Sequence, residues 1–340
     1  MSDISIEEIE KRIKDSYELP NNSARENMPN PLVTVRTSTY QHGPYIRDCI
    51  EGVLMQKTNF PFEFIIGEDF STDGTREIVF EYARKYPDVI RVITADYNVG
   101  SKANGRRCAS IARGKYIAIC EGDDYWTDPF KLQKQFDFLE NNPDFSLCFH
   151  RFYEKKNDEL RLKPYHLKHE LTLEDFAQSV GGIQTLTVLH RNIIPPITGT
   201  ELPRKVKATG TYFLYARLAE FGKFKLIDEP MAVYRIHAGG IWSGKTKYEK
   251  ALMAVNNREA ITLYYKKNPS IYRLFKSTYV KNTLEHAGYF FQRYRIKTGL
   301  RFIALSFRFG ITLDHLRYFF FAPQRKDNQK NDENAGGTAS

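Results

Sequence analysis

The chain has 340 residues, 41% hydrophobic and 27% charged, with 21 Tyr and 24 Phe. This composition allows one large globular domain with an appendage, or two domains, and no run of 18 apolar residues is present to span a bilayer. The net charge of +9 is uneven: residues 245–326 hold 17 Lys/Arg against 4 Asp/Glu, a balance of +13, so the remainder carries −4 and the basicity says nothing about the first part of the chain.

Residues 1–14 are charged throughout, so no secretory leader is expected. Residues 1–30 read as a charged helix and a polar Pro/Asn-rich linker, to which the sequence assigns no function. From Leu32 strands alternate with helices. Strands are expected at 32–35, 62–66, 89–93, 116–120 and 145–150. Helices are expected at 45–55, 75–86, 103–112 and 130–140. Ile46, Ile50, Val53 and Leu54 share one helical face. Ser71, Thr72 and Asp73 are capping types before the second helix. The strand at 116–120 is apolar throughout, as one covered on both faces should be. Residues 151–245 carry shorter elements: helices near 173–179 and 212–221, and strands near 185–189, 224–227 and 232–235. Cys49, Cys108, Cys120 and Cys148 fit no metal-ligand spacing and read as reduced thiols, three of them buried, in a cytoplasmic protein.

Such alternation argues for a mostly parallel sheet with helices on both faces, and ligands then bind beyond the carboxyl ends of the strands. Polar clusters lie at those ends: Ser38-Thr39-Tyr40, Glu68-Asp69, and Glu121-Gly122-Asp123-Asp124. Clustered carboxylates repel unless a cation relieves them, and oxygen ligands suit Mg²⁺ or Mn²⁺. The plain alternative is an acidic turn with an Asp capping a helix. Asp73 and Gly74 read first as turn formers. A dinucleotide oxidoreductase would need a GxGxxG after the first strand, and residues 37–42 contain no glycine.

Residues 31–40 (PLVTVRTSTY), 68–75 (EDFSTDGT), 98–100 (NVG) and 121–129 (EGDDYWTDP), in that order, resemble the family 2 inverting glycosyltransferases of the GT-A fold. The resemblance covers about residues 31–244. It implies an α/β GT-A fold, a mixed, mostly parallel sheet flanked by helices, with a C-terminal helical appendage. It implies hexosyl transfer from a nucleotide-diphosphate sugar, UDP-linked by preference, to a glycan or lipid-linked glycan acceptor. Tyr40 would stack near the base, with Ser38 and Thr39 in the same loop, and Asp69 would hold the uracil. Glu121 and Asp123 would be the acids of the DxD motif, Asp123 the main ligand of Mn²⁺ or Mg²⁺, and Asp124 would lie beside sugar or metal. Lys102, Asn104 and Arg106 are candidates to reach the donor. Residues 234–243 (YRIHAGGIWS) match the family's loop over the nucleotide, where His237 would meet metal or diphosphate and Arg235 would offset phosphate charge.

One departure concerns the base. Relatives of this type carry Gly-Asp before the helix at 212–221; here the pair is Gly210-Thr211, and a Thr hydroxyl is no base near neutral pH. Glu201 is the nearest upstream carboxylate. A nucleotide-sugar binder with weak or no transfer is therefore the rival expectation. Arg36, where an apolar residue is more usual, is a second oddity.

These readings divide the chain into 1–30, a catalytic domain at 31–245 (nucleotide half 31–150, acceptor half 151–245), a basic aromatic helical region at 246–326 and a disordered tail at 327–340. In 293–321, Leu300, Ile303, Ala304 and Phe307 form one face and Lys297, Arg301 and Arg308 another. This fits an interfacial helix on an anionic bilayer, placing the protein on the inner face of the membrane. A solvated basic face with its aromatics packed on the catalytic domain is the alternative. No nucleic-acid partner is expected, since no recognition motif accompanies the basic surface.

Overall fold

The computed structural model describes residues 5–20, 30–178, 182–195, 210–240, 244–293, 295–311 and 315. Glu201, residues 316–321 of the segment expected at the membrane and the tail 327–340 lie outside the described residues. In chain order the elements are α1 (Ile6–Lys14), β1 (Tyr17–Glu18), β2 (Val33–Thr39), α2 (Ile46–Leu54), β3 (Phe62–Glu68), α3 (Thr75–Lys85), β4 (Ile90–Thr94), α4 (Ser101–Ser110), β5 (Tyr116–Ile119) and β6 (Tyr125–Trp126). There follow α5 (Lys131–Asn141), β7 (Phe145–Lys156), β8 (Glu159–Leu162), β9 (Glu170–Leu171), α6 (Leu173–Gln178), β10 (Leu189–Arg191), α7 (Gly210–Phe221), β11 (Lys223–Ile236), α8 (Lys247–Tyr264), α9 (Pro269–Phe291) and α10 (Ile296–Ser306). Residues 1–274 group into one compact unit and a second begins at Phe275.

In the first unit the described strands form one sheet in the order β1-β4-β3-β2-β5-β10-β7-β11-β6, with β8 on β7 and β9 on β11. The β4-β3-β2-β5 run is parallel, while β10 is antiparallel to both β5 and β7. Strand period sorts the side chains. Val33 and Val35 of β2 enter the main core with Ile46, Cys49, Ile50 and Val53 of α2. Arg36 projects from the other face, toward α4, where its Nη2 donates to Gly105 O at 3.5 Å. All four cysteines are free and buried, one more than expected, with Cys49 and Cys120 Sγ 3.8 Å apart.

Two elements differ from the reading above. Residues 185–187 form a 3₁₀ turn, with β10 starting at Leu189. The strands expected at 224–227 and 232–235 are one strand, β11, parallel to β7 with register shifts on both sides of Pro230. Proline has no N–H for the ladder, so the strand bulges there rather than ending.

Candidate active site

β2, β3 and β5 end at one edge of the sheet, and their loops converge there. Thr39 O accepts Asp69 N at 3.1 Å and Ser38 O accepts Gly122 N at 3.2 Å, so three strand ends are tied by their backbones. Gly122 permits the closest approach: a Cβ there would stand 2.6 Å from Thr39 Oγ1 and 2.7 Å from His42 Nδ1. Asp73 fastens the next loop, accepting from Gly43 N at 2.8 Å and from Thr75 N at 3.1 Å. Tyr40 remains exposed at the rim.

The acidic turn packs against the end of β11. His237 Nε2 lies 3.0 Å from Asp123 Oδ2, and both side chains are partly open, at 17% and 18%. His237 stacks on Tyr45 at 4.8 Å between centroids, and His42 stands 6.5 Å away. Thr39 Oγ1 and His42 Nδ1 are 3.2 Å apart. Burial pushes the His42 pKa down, against the pull of the Asp123 charge. The Glu121 carboxyl is raised to about 7, by burial first and then by Asp123, with Arg36 pulling the other way. Asp124 is raised well above the carboxylate range by burial and by Asp123.

This donor set fits a divalent cation. Two cis ligands of an octahedral ion, each at about 2.1 Å, stand about 3.0 Å apart; the Asp123–His237 separation has that value. Burial first, and then the Asp123 charge, raises the Glu121 and Asp124 carboxyls beside them, and a cation in the crevice would favour their ionised forms. Among the described residues no third His, Cys, Asp or Glu completes a protein-only cage. A Mg²⁺ or Mn²⁺ site of this kind keeps positions for phosphate oxygens and water.

Other expected site residues are placed differently. Asp124 is buried and its Oδ1 accepts Arg235 N at 2.9 Å, so it braces the turn against β11. Arg235 is folded inward: it ion-pairs with Asp48, donates to Asp123 O at 2.9 Å, and lies between the rings of Tyr45 and Tyr125 at 5.3 and 4.3 Å. Its guanidinium holds the acidic turn through Nη1 and Asp48 through Nη2. Asn104 is buried with both ends of its amide used, donating to Gly67 O at 2.8 Å and accepting from Arg107 Nε at 2.9 Å. Lys102 is exposed and Arg106 half-buried on the same helix. Asp69 is buried, its two oxygens accepting from Val99 N at 2.8 Å and Gly100 N at 3.0 Å; burial raises its pKa, and those bonds with Arg107 oppose the rise.

Sequence reasoning passed over His42, Asp48 and Arg107. His42 was in plain view, two residues past Tyr40. Arg107 is fully buried, donating to Glu68 O at 2.7 Å and standing 3.7 Å from Asp69 Oδ1. Thr211 sits in the first turn of α7. One turn on, Tyr215 is buried, its hydroxyl has no hydrogen-bond partner among the described residues, and burial first, then the Glu121 charge, raises its pKa.

The model of glycosyl transferase family 2 matches residues 34–196. The teichuronic acid biosynthesis glycosyltransferase TuaG of Bacillus subtilis, provisionally so named, is 31% identical over 75% of this chain and 98% of its own length. The chain belongs to glycosyl transferase family 2. A glycosyltransferase of Methanocaldococcus jannaschii, itself uncharacterised, is 30% identical over 66% of this chain and 77% of its own. An uncharacterised protein of Mycobacterium tuberculosis is 38% identical over 62% of this chain, and the match spans 60% of that relative's length. Among solved structures, S. aureus TarS 1-349 in complex with UDP-GlcNAc superposes with a TM-score of 0.50 at 14% identity, covering 79% of this chain and 90% of that one. The family 2 chain has the GT-A fold, and its helices continue past the sheet as an appendage.

Proposed function

We propose that this family 2 glycosyltransferase moves a hexosyl group from a UDP-sugar to an acceptor hydroxyl, with inversion, in the assembly of a surface polysaccharide or glycolipid. One observation carries the reading: Asp123 and His237, 114 positions apart in sequence, meet at 3.0 Å in the mouth formed by three strand ends. Asp123 and His237 would hold Mg²⁺ or Mn²⁺, with Glu121 behind them. A bound cation of this kind supplies charge neutralisation for a departing diphosphate. Tyr40 offers an exposed ring for the base, Asp69, ordered by Val99 N and Gly100 N, would accept a base N–H, and the Ser38–Thr39 backbone holds that rim in register with the acidic turn. Asp124 and Arg235 keep the turn rigid, which is what positioning of a reacting centre demands. Inversion requires one displacement, with the acceptor hydroxyl opposite the leaving group and a base to take its proton. Thr211 cannot be that base, so Glu201 is proposed for it.

The rival reading, a nucleotide-sugar binder with weak transfer, rests on Thr211. Calorimetric titration with UDP, with and without Mn²⁺, tests the donor site. Binding that needs Mn²⁺ and disappears in Asp123→Ala is expected; no binding in either condition would overturn the proposal. Steady product formation would dismiss the binder. We also propose contact between residues 293–321 and an anionic membrane surface on the cytoplasmic side, in keeping with a lipid-linked acceptor. Among the described residues no helix is long and apolar enough to cross a membrane.

A further inference from the structure

Residues 5–20 take no part in the reaction outlined above, yet they are fastened to the loop that holds Asp69. The helix α1 is built to form. Ser5 caps it by accepting Glu8 N at 3.1 Å, with acids in its first turn and bases in its last. Its apolar residue Ile9 packs with Ala95, Val99 and Ala103. Beyond it, β1 adds an antiparallel strand to β4. Two tyrosine–aspartate bonds then run in opposite directions between this segment and the 95–100 loop. Tyr17 Oη donates to Asp96 at 2.7 Å, and Tyr97 Oη donates to Asp15 at 2.7 Å.

Two further bonds reach the groups that hold Asp69. Arg12, steadied by Glu8 at 2.8 Å, donates from Nη1 to Val99 O at 3.0 Å. The N–H groups of Val99 and Gly100 are the ones that Asp69 accepts. Ser16 Oγ accepts Arg107 Nη1 at 3.1 Å while its own hydroxyl donates to Arg12 O at 2.8 Å. Arg107 in turn carries Glu68 O and stands beside Asp69. Both supports of the Asp69 carboxylate are therefore anchored in residues 12–16. Gly100, at φ 86°, holds a left-handed conformation in this loop and adds no side chain to steady it.

We infer that residues 5–18 are a strap that preorganises the nucleoside end of the donor site, with Arg12 and Ser16 as positioning residues acting through Val99, Gly100 and Arg107 on Asp69. The inference rests on the nucleotide-sugar reading. Ordering this loop before the ligand arrives removes a cost that binding would otherwise carry.

The test uses the full chain with Arg12→Ala, Arg12→Lys and Ser16→Ala. Amide hydrogen exchange at Val99 and Gly100 reads the loop without nucleotide, and UDP titration in Mn²⁺ reads the site. Loss of one charge-assisted bond should speed exchange and weaken UDP by about tenfold each in Arg12→Ala. Arg12→Lys, which keeps the charge and a donor, should recover part of both, and Ser16→Ala should shift both in the same direction. Exchange and affinity within twofold of the parent in Arg12→Ala, with the parent binding UDP, would overturn the strap alone. Faster exchange in a chain whose parent never binds UDP would overturn the nucleotide reading, and with it the role given to the strap.

Discussion

Thr211 opens α7 with a hydroxyl where the family's resemblance calls for a carboxylate. General-base catalysis is worth about 10²–10⁴-fold, so with Glu201 as the base Glu201→Gln should cut turnover by about that factor and leave UDP affinity within twofold. Product formation from a UDP-sugar measures it, and an unchanged rate would assign the base to another residue. Lys131 poses a different problem. It is fully buried, with Nζ 2.7 Å from Gln135 Oε1 and 3.9 Å from the Trp126 ring centroid, and burial lowers its pKa to about 7. The unfolded chain holds that proton up to its ordinary pKa of 10.5, so between about pH 7 and 10.5 the unfolded state binds more protons and stability rises with pH. Below pH 7 both states are charged and the cost of burying the cation is felt in full. Lys131→Met should therefore flatten the rise between pH 7 and 10, on the order of a few kcal/mol. Denaturant midpoints across that range compare variant with parent, and parallel curves would refute it. At this scale the sequence was legible unevenly. Asp123 and His237 stood out because their residue types suit a metal and their loops suit a cleft. Arg106 is a candidate in the sequence and Arg107 is not, although Arg107 is the one of these neighbours that the fold buries, because spacing alone does not say which of two adjacent arginines on a helix turns inward.

The strand–helix alternation was legible because side-chain periodicity is local. Most boundaries moved by a residue or two, while β2 runs four residues and β7 six residues past their expected ends. The larger misses, the 3₁₀ turn at 185–187 and the unbroken β11, arose where pairing partners rather than composition decide the backbone. Pro230 reads as a stop in a single strand, yet parallel contact with β7 on both sides of the bulge carries the strand through it. The helix α10 shows the same interplay. Its residues Gly299, Phe302 and Ser306 are buried, and Phe302 stacks on Phe290 at 5.5 Å. Ile296, Leu300 and Phe307 remain 60%, 56% and 64% exposed along another face, bordered by exposed Lys297, Arg301 and Arg308. A helix that already packs through one face and shows a second apolar one, edged with bases, suits an anionic interface. The full chain should sediment with phosphatidylglycerol-containing vesicles and not with pure phosphatidylcholine. A Leu300→Glu, Phe307→Glu double variant should lower the vesicle partition constant by about a hundredfold or more, the effect expected for losing two buried apolar side chains. Equal sedimentation with both lipids, or none, would remove membrane contact from the account.

Across the whole molecule, the first compact unit runs to Leu274, so α8 groups with the sheet rather than with the helices that follow. No charge pattern announced that, because α8 shares the aromatic and basic composition of the later helices. The sequence by itself determined the alternating layers, the polar strand ends and the family resemblance, since each depends on residues close together along the chain. Tertiary structure decided what those residues do. It closed Asp123 against His237, turned Arg235 back onto Asp48, and gave Asp69 to the Val99–Gly100 backbone. It also laid an unassigned N-terminal helix over that loop. The reason is physical: burial and hydrogen bonding between loops far apart in sequence set these outcomes, and a buried polar group takes whichever partner the fold brings to it.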